Sequence, residues 1–291
     1  MFVTPKEKNV LIWIIIVWIA IFTIGTSIWY LFFQNKDKYL NEDAFQTKEE
    51  LIASIEESIL NLEPEPIPLD YIEIIGGCGP EVDANCVKAY NKPDSTSVKV
   101  SDLRKGMVLR ISETIETETG NWYKVTFDEW VRYPERISGN LYVSEENTRY
   151  FSRIGAEEMD SEKDYSTEKY ILVDRSDQTL SAYDGDNLFK QISISSGLAM
   201  TPTPRGTFTI YRKTPSRYMQ GPLPGISNQY YDLPGVPWNL YFTEQGAVVH
   251  GAYWHNQFGK QWSHGCVNVD PEIAREIYEW ADLGTQVIVR D

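Results

Sequence analysis

The chain begins with an apolar run that no charge interrupts. From Val10 to Phe33 only Thr23, Gly25, Thr26 and Ser27 are not apolar. A helix over this run is about 36 Å long at 1.5 Å per residue, enough to cross a bilayer with some tilt. Trp29 and Tyr30 fall near one end, where an interfacial aromatic belt is expected. A soluble helix keeps a polar face, and this run has none. A cleaved signal peptide has an apolar core of roughly 7–15 residues followed by an A-x-A site, and neither feature fits. The pattern predicts an uncleaved signal-anchor within residues 1–33. Lys6 and Lys8 before the run balance Lys36 and Lys38 after it, so charge leaves the orientation open.

Residues 34–84 read as an acidic stalk. Thr47 with Glu50 makes a capping box, and Leu51, Ile55, Ile59 and Leu62 follow at helical spacing. The alternating prolines of Glu63-Pro64-Glu65-Pro66-Ile67-Pro68 predict an extended spacer. Over residues 85–153 short alternating runs appear at Val98–Val100, Met107–Ile111, Trp122–Val125 and Leu141–Val143, separated by glycine turns. Leu103-Arg104-Lys105-Gly106 and Asn121-Trp122-Tyr123-Lys124-Val125 give this small β domain a resemblance to bacterial SH3-like barrels. Residues 168–291 read as mostly β. Strands are predicted over 170–174, 179–183, 189–195, 206–213 and 286–290. One helix is predicted from Pro271 to Trp280, capped by Asp270.

Composition narrows the function. The 291 residues carry 27 basic and 42 acidic side chains, net −15, which disfavours a nucleic-acid partner. The acidity is uneven: residues 34–70 and 71–168 each hold net −7, and residues 169–291 only −2. Three Cys are too few for a disulfide scaffold, and three His without a C-x-x-C offer little for a structural metal. Cys78 and Cys86 bracket a turn-rich loop that brings them within bridging reach, and a disulfide is expected if the compartment is oxidising.

The candidate chemistry lies in Ser263-His264-Gly265-Cys266-Val267-Asn268, with His250-Gly251 sixteen residues before the cysteine. A thiol is a useful nucleophile only as thiolate, which needs a base, a cation or oriented N–H groups nearby. Two strands joined by the intervening loop would bring His250 beside Cys266. Gly265 would let the backbone approach a carbonyl, with neighbouring N–H groups holding an oxyanion. A buried, inert cysteine is the alternative reading of the same residues.

These residues resemble the signature of the L,D-transpeptidase (YkuD-type) catalytic domain. Ser195-Ser196-Gly197, Thr201-Pro202-Thr203-Pro204-Arg205-Gly206-Thr207-Phe208 and Val236-Pro237-Trp238 agree in order. Together with the apolar run and the SH3-like segment, the resemblance gives a mainly β chain: an N-terminal transmembrane helix, a small SH3-like β-barrel and a C-terminal L,D-transpeptidase-like β-sandwich or barrel with one helix. It implies a peptidoglycan enzyme that needs no metal or organic cofactor. Cys266 would attack the third residue of a tetrapeptide stem and release D-Ala, and a side-chain amine would resolve the thioester into a 3→3 cross-link. His250 would be the base, oriented by the Gly251 carbonyl. His264, Gly265 and Cys266 would supply oxyanion N–H groups, with Ser263 and Asn268 supporting the loop. Many relatives carry Arg where this chain has Asn268, and Asn supplies no charge for a carboxylate. His255, Tyr231, Met219 and Trp238 are further candidate substrate contacts, and Tyr218, Met219, Tyr230 and Tyr231 a candidate flap.

Other classes remain in view. Hydrolysis of the stem instead of cross-linking uses the same acyl-enzyme. A sortase-like enzyme would need a T-L-x-T-C motif well after the histidine. A metallohydrolase would use His250, His255, His264 and Cys266 as ligands. A wall-binding protein would be indifferent to Cys266→Ala. Peptidoglycan lies outside the cytoplasmic membrane. The expected topology therefore puts residues 1–9 inside and the remainder outside, with the membrane and stem peptides as partners.

Overall fold

The computed structural model describes residues 5–34, 51–52, 67–127, 131–137, 139–222 and 230–291. The chain divides into two units, Met1–Glu65 and Pro66–Asp291. In the first, helix α1 (Pro5–Gln34) covers the apolar run. The side chains described on it, those of residues 16–30, are exposed. Thr23 Oγ1 donates to the carbonyls of Ile19 and Ala20, and Thr26 Oγ1 to that of Thr23. These hydroxyls are satisfied by the helix itself and need no outside partner. Among the described residues no helix is long and apolar enough to cross a membrane. The ends of the uncharged run lie outside the side chains described. The helix expected after Thr47 also lies outside the described residues, except Leu51 and Ile52, which are helical.

The second unit is mainly β. Its N-terminal part contains β1 (Leu69–Ile74), β2 (Val87–Tyr90), β3 (Lys99–Leu103), β4 (Val108–Thr117), β5 (Gly120–Val125), β6 (Tyr142–Ser144) and β7 (Thr148–Arg153). They form one seven-stranded sheet in the order β3-β2-β6-β5-β4-β1-β7. Strand β1 corrects the expected bounds, because residues 69–74 fall in the segment read as stalk. Tyr71 pairs with both Arg110 and Phe151, and Ile72 and Ile74 are fully buried. The apolar residues of Leu69-Asp70-Tyr71-Ile72-Glu73-Ile74 complete the sheet. Cys78 and Cys86 form a disulfide in the loop after β1.

The C-terminal part contains β8 (Glu157–Glu158), β9 (Lys169–Asp174), β10 (Thr179–Asp184), β11 (Asn187–Ser193), β12 (Gly206–Thr209), β13 (Arg212–Pro222), β14 (Tyr230–Tyr241), β15 (Val248–Gly251), β16 (Val267–Val269), α2 (Pro271–Trp280) and β17 (Gln286–Arg290). Two five-stranded sheets form, ordered β11-β10-β9-β17-β12 and β16-β15-β14-β13-β8. One core cluster joins Ile171, Val173 and Val287 of the first sheet to Leu240, Val249 and Val267 of the second and Ile277 and Tyr278 of α2. The run expected as one strand over 206–213 is split. Ile210 N–H turns to Thr285, and β13 begins afterwards in the other sheet. Asp270 caps α2 through the N–H groups of Glu272 and Ile273, as expected from Asp-Pro at the start.

The two β domains share their cores. Tyr71 and Val108 belong to the C-terminal cluster, while Val236 and Tyr253 belong to the N-terminal one. Ser216 Oγ donates to Val108 O at 2.6 Å. Gly106 has φ +91°, and a Cβ there would lie 2.7 Å from the Pro271 ring. Gly106→Ala combines backbone strain with a clash across the interface. We expect it to cost about 2 kcal/mol or more, read as a lower urea midpoint for residues 66–291. An unchanged midpoint contradicts the close approach.

Candidate active site

The site follows from strand alternation. β15 and β16 run parallel, with Val249 opposite Val267, His250 opposite Asn268 and Gly251 opposite Val269. Alternate residues face opposite sides. Val249, Val267 and Val269 enter the core. His250 and Asn268 therefore face the other way. Cys266 lies in the bend just before β16, with its thiol near the Val248 N–H and 3.8 Å from Gly246 O, just before β15. Cys266 and His250 thus sit on neighbouring segments at the same end of the β15–β16 pair. Gly251 is required here, because a Cβ would meet the Pro237 ring at 2.7 Å and Pro271 Cα at 3.0 Å.

His250 is 1% exposed. Its Nδ1 bonds the Gly251 carbonyl at 2.9 Å. A carbonyl only accepts, so Nδ1 carries the proton and Nε2 is left with its lone pair. Burial pushes the pKa down to about 4, against the opposing pull of the Gly251 carbonyl, and the nearby charge of Arg217 adds to the depression. The ring is neutral at pH 7 and able to accept a proton. Cys266 is the free cysteine, half-buried. Its Sγ lies 3.8 Å from Gly246 O. Burial pushes the thiol pKa up; the Val248 N–H and the Arg217 charge work against this. At rest the pair is thiol and imidazole rather than thiolate and imidazolium.

The loop before Cys266 is fixed by hydroxyls and by the Ser195–Gly197 segment. Ser263 Oγ donates to Cys266 O, and Thr203 Oγ1 lies 3.4 Å from the same carbonyl. Thr203 Oγ1 also receives Gly197 N–H at 2.9 Å. Ser195 and Asn268 exchange both backbone bonds, each 2.9 Å. Gly265 adopts φ +118°, a backbone conformation that favours glycine. Its N–H is taken by Ser263 Oγ at 3.2 Å. Of the three expected oxyanion donors, Gly265 is therefore engaged. The N–H groups of His264 and Cys266 have no partner among the described residues.

The candidate substrate contacts separate on inspection. His255 is 7% exposed and Asn268 2%, and the two meet at 2.8 Å. His255 Nδ1 receives Gln257 N–H at 3.1 Å. Burial lowers this ring's pKa to about 4, so it is neutral and carries one proton. With Nδ1 accepting, Nε2–H donates, and the Asn268 atom that faces it is the amide oxygen. Asn268 is thereby occupied inside the protein. His255 also borders a cleft of about 740 Å³ between the two β domains. Tyr231 stacks on His264 at 6.4 Å, and its pKa is raised by burial and then by Cys266. Met219 packs against the N-terminal domain's core. Trp238 is corrected as a substrate contact. It is 2% exposed, with its ring between Phe151 and Tyr278 at 5.5 and 5.3 Å, and presents no free face.

Part of the candidate flap is braced by the N-terminal domain. β13 and β14 pair along the hairpin, with Met219 opposite Leu233 and Gly221 opposite Tyr231. Tyr133 N–H donates to Gln220 Oε1 at 2.9 Å, the Tyr133 ring meets Tyr230 edge-on at 5.4 Å, and the Arg136 guanidinium lies over Tyr230. Arg217, Thr203 and the Gly246 carbonyl were not singled out as site residues from sequence. Thr203 lies within a motif that did signal it; Arg217 and Gly246 carry no local pattern.

With this geometry in place, comparison with known proteins is informative. Residues 168–289 match the family model of the L,D-transpeptidase catalytic domain (YkuD), and this segment holds both His250 and Cys266. Over 122 residues the chain is 28% identical to a Bacillus licheniformis protein whose name assigns it to the L,D-transpeptidases as YkuD. The match covers 41% of this chain and 64% of that relative, just under two thirds of its length. A cysteine-to-serine mutant of the Enterococcus faecium L,D-transpeptidase is 26% identical, with 42% of this chain and 50% of that one covered and a TM-score of 0.39. An L,D-transpeptidase from Mycobacterium smegmatis is 21% identical, with 62% and 98% covered and a TM-score of 0.41.

The buried neutral rings predict a pH dependence. His250 and His255 bind a proton near pH 6.5 when unfolded and near 4 when folded. Between these values the unfolded chain holds more protons, so stability is lost as pH falls from about 6.5 toward 4, by up to about 3 kcal/mol per ring. Urea midpoints at pH 7, 5.5 and 4.5 read this, and His255→Gln should flatten the slope. Alkylation of Cys266 by iodoacetamide should show a midpoint above the ordinary thiol value; one near pH 6 contradicts the neutral pair.

Proposed function

We propose that the C-terminal domain is a cysteine-dependent L,D-transpeptidase acting on peptidoglycan stem peptides. The observation that carries this reading is His250 on β15 beside the bend that holds Cys266 just before its parallel partner β16, within the segment that matches the family. Cys266 Sγ attacks the carbonyl of the third stem residue while its proton passes to His250 Nε2. The N–H groups of His264 and Cys266 stabilise the oxyanion. Collapse breaks the peptide bond, and the terminal D-Ala leaves as an amine carrying the proton from His250. A side-chain amine of a second stem then attacks the thioester, His250 takes its proton, and the Cys266 thiol is restored with a 3→3 link formed. Water in place of the amine gives a shortened stem. No step calls for a metal or cofactor.

We read α1 as a signal-anchor, with residues 1–9 inside the cytoplasmic membrane and the rest outside, and the seven-stranded domain as an SH3-like module. The uncharged run of Val10–Phe33 and the self-satisfied threonines support the first reading. The disulfide between Cys78 and Cys86 agrees with an oxidising compartment. Protease protection in membrane vesicles tests the topology, and shielding of residues 34–291 in inside-in spheroplasts would overturn it.

Incubating the full chain with disaccharide-tetrapeptides should yield 3→3 dimers or shortened stems by mass spectrometry. Cys266→Ala should lower turnover at least about 10³-fold while keeping the fold. Absence of both products from the folded wild type, or activity retained in Cys266→Ala, rejects the reading. A carbapenem should add its mass to the wild type and leave Cys266→Ala unchanged.

A further inference from the structure

Among the described residues, the arginines of the catalytic domain show one exception. Arg175, Arg205, Arg212, Arg275 and Arg290 each pair with an Asp or Glu. Arg217, on β13, has no carboxylate partner among the described residues. Residues 223–229, which follow β13 in the sequence, contain no Asp or Glu. Its guanidinium carbon instead lies 5.3 Å from the centroid of the Tyr241 ring. A half-buried guanidinium without an anion has lost part of its hydration for no Coulombic return, a cost that a bound carboxylate offsets.

The position of this charge is informative. Tyr241 pairs with Val248, whose N–H lies at the Cys266 thiol. Tyr241 is next to the core-facing Leu240 and so faces the same side as Cys266. The Tyr241 ring that the guanidinium covers is thus carried two strands from the Cys266 segment, a backbone spacing of about 10 Å. That span suits a donor peptide. An attacking sulfur stands about 3–3.5 Å from its carbonyl carbon, one residue advances the chain by about 3.8 Å, and an Arg–carboxylate contact adds about 3 Å. The positive charge is also felt at Cys266, His250 and Tyr231.

We propose that Arg217 binds a carboxylate of the donor stem, and that the terminal carboxylate of the leaving residue is the one it reads. This rests on the reading of the domain as an L,D-transpeptidase. A planar guanidinium can take a carboxylate through two parallel hydrogen bonds, which fixes the direction of the peptide as well as its end. The enzyme would therefore recognise the exposed end of a stem and pass over the same bond inside a longer peptide.

The test uses the full chain, four donor peptides and the variants Arg217→Gln and Arg217→Lys. The donors are a tetrapeptide with a free terminal carboxylate, its terminal amide, and each with or without a carboxylate on the third side chain. The wild type should prefer the free acid by about tenfold or more, chiefly in KM. Arg217→Gln should erase that preference and Arg217→Lys should keep part of it. Loss of preference for the third-residue carboxylate instead would reassign the contact to that group and overturn the terminal assignment. An equal loss on all four donors, with the iodoacetamide midpoint of Cys266 shifted upward, would show that Arg217 acts only through the thiol and overturn the proposal. Calorimetry with Cys266→Ala needs no turnover. Binding of the free acid should weaken about tenfold on adding Arg217→Gln, and equal binding overturns the carboxylate assignment. Such weakening without wild-type turnover would leave the carboxylate site standing and reject the transpeptidase reading alone.

Discussion

The parallel pairing of β15 with β16 is the constraint on which the site depends. It brings together residues sixteen apart in sequence and sorts them by alternation. The valines at 249, 267 and 269 are drawn inward by burial, and the same force turns His250, Asn268 and Cys266 outward. A slip of one residue would turn the histidine face into the apolar core and the valines toward the site. The hydrophobic core thereby fixes the register, and the register fixes the chemistry. The bridges of Ser195 and Gly197 to Asn268 and Ser263 hold the far side of the same loop.

Electrostatically the site is held neutral at rest. Burial drives protons off both His250 and His255 and keeps one on Cys266. A neutral pair avoids the large cost of enclosing two charges with incomplete solvation. In the proposed reaction charge would develop only as sulfur attacks, where the N–H groups of His264 and Cys266 and the positive field of Arg217 would act on it. The His255–Asn268 bond belongs to the same arrangement, because it satisfies two buried polar side chains with each other.

Much of this was legible from local sequence. Asp270-Pro271 marks the start of α2 through capping, and the alternation of residues 169–174 and 286–290 marks strands. The cysteine and histidine motifs pointed to Cys266 and His250, which the fold brings to neighbouring segments. What remained illegible depends on distant partners. Leu69–Ile74 follows a proline spacer and reads as its continuation until β4 and β7 are placed on either side. Trp238 looks like an exposed aromatic in a motif, yet Phe151 of the other domain covers it. Asn268 and His255 are each ambiguous alone, and their pairing depends on the loop between them. Arg217 has no pattern at all; its meaning comes from its having no carboxylate partner among the described residues.

Pro271 sits in a narrow place. One side of its ring faces Gly106 of the N-terminal domain, and its backbone approaches Gly251 next to the base. The two glycines are matched to one shared proline, so neither domain was shaped alone. Exchange of the N-terminal domain for another β domain by recombination would therefore disturb the strand of His250 unless the newcomer also offered a bare backbone at that point. The two domains should descend as a single inherited block, with substitutions on one side compensated on the other.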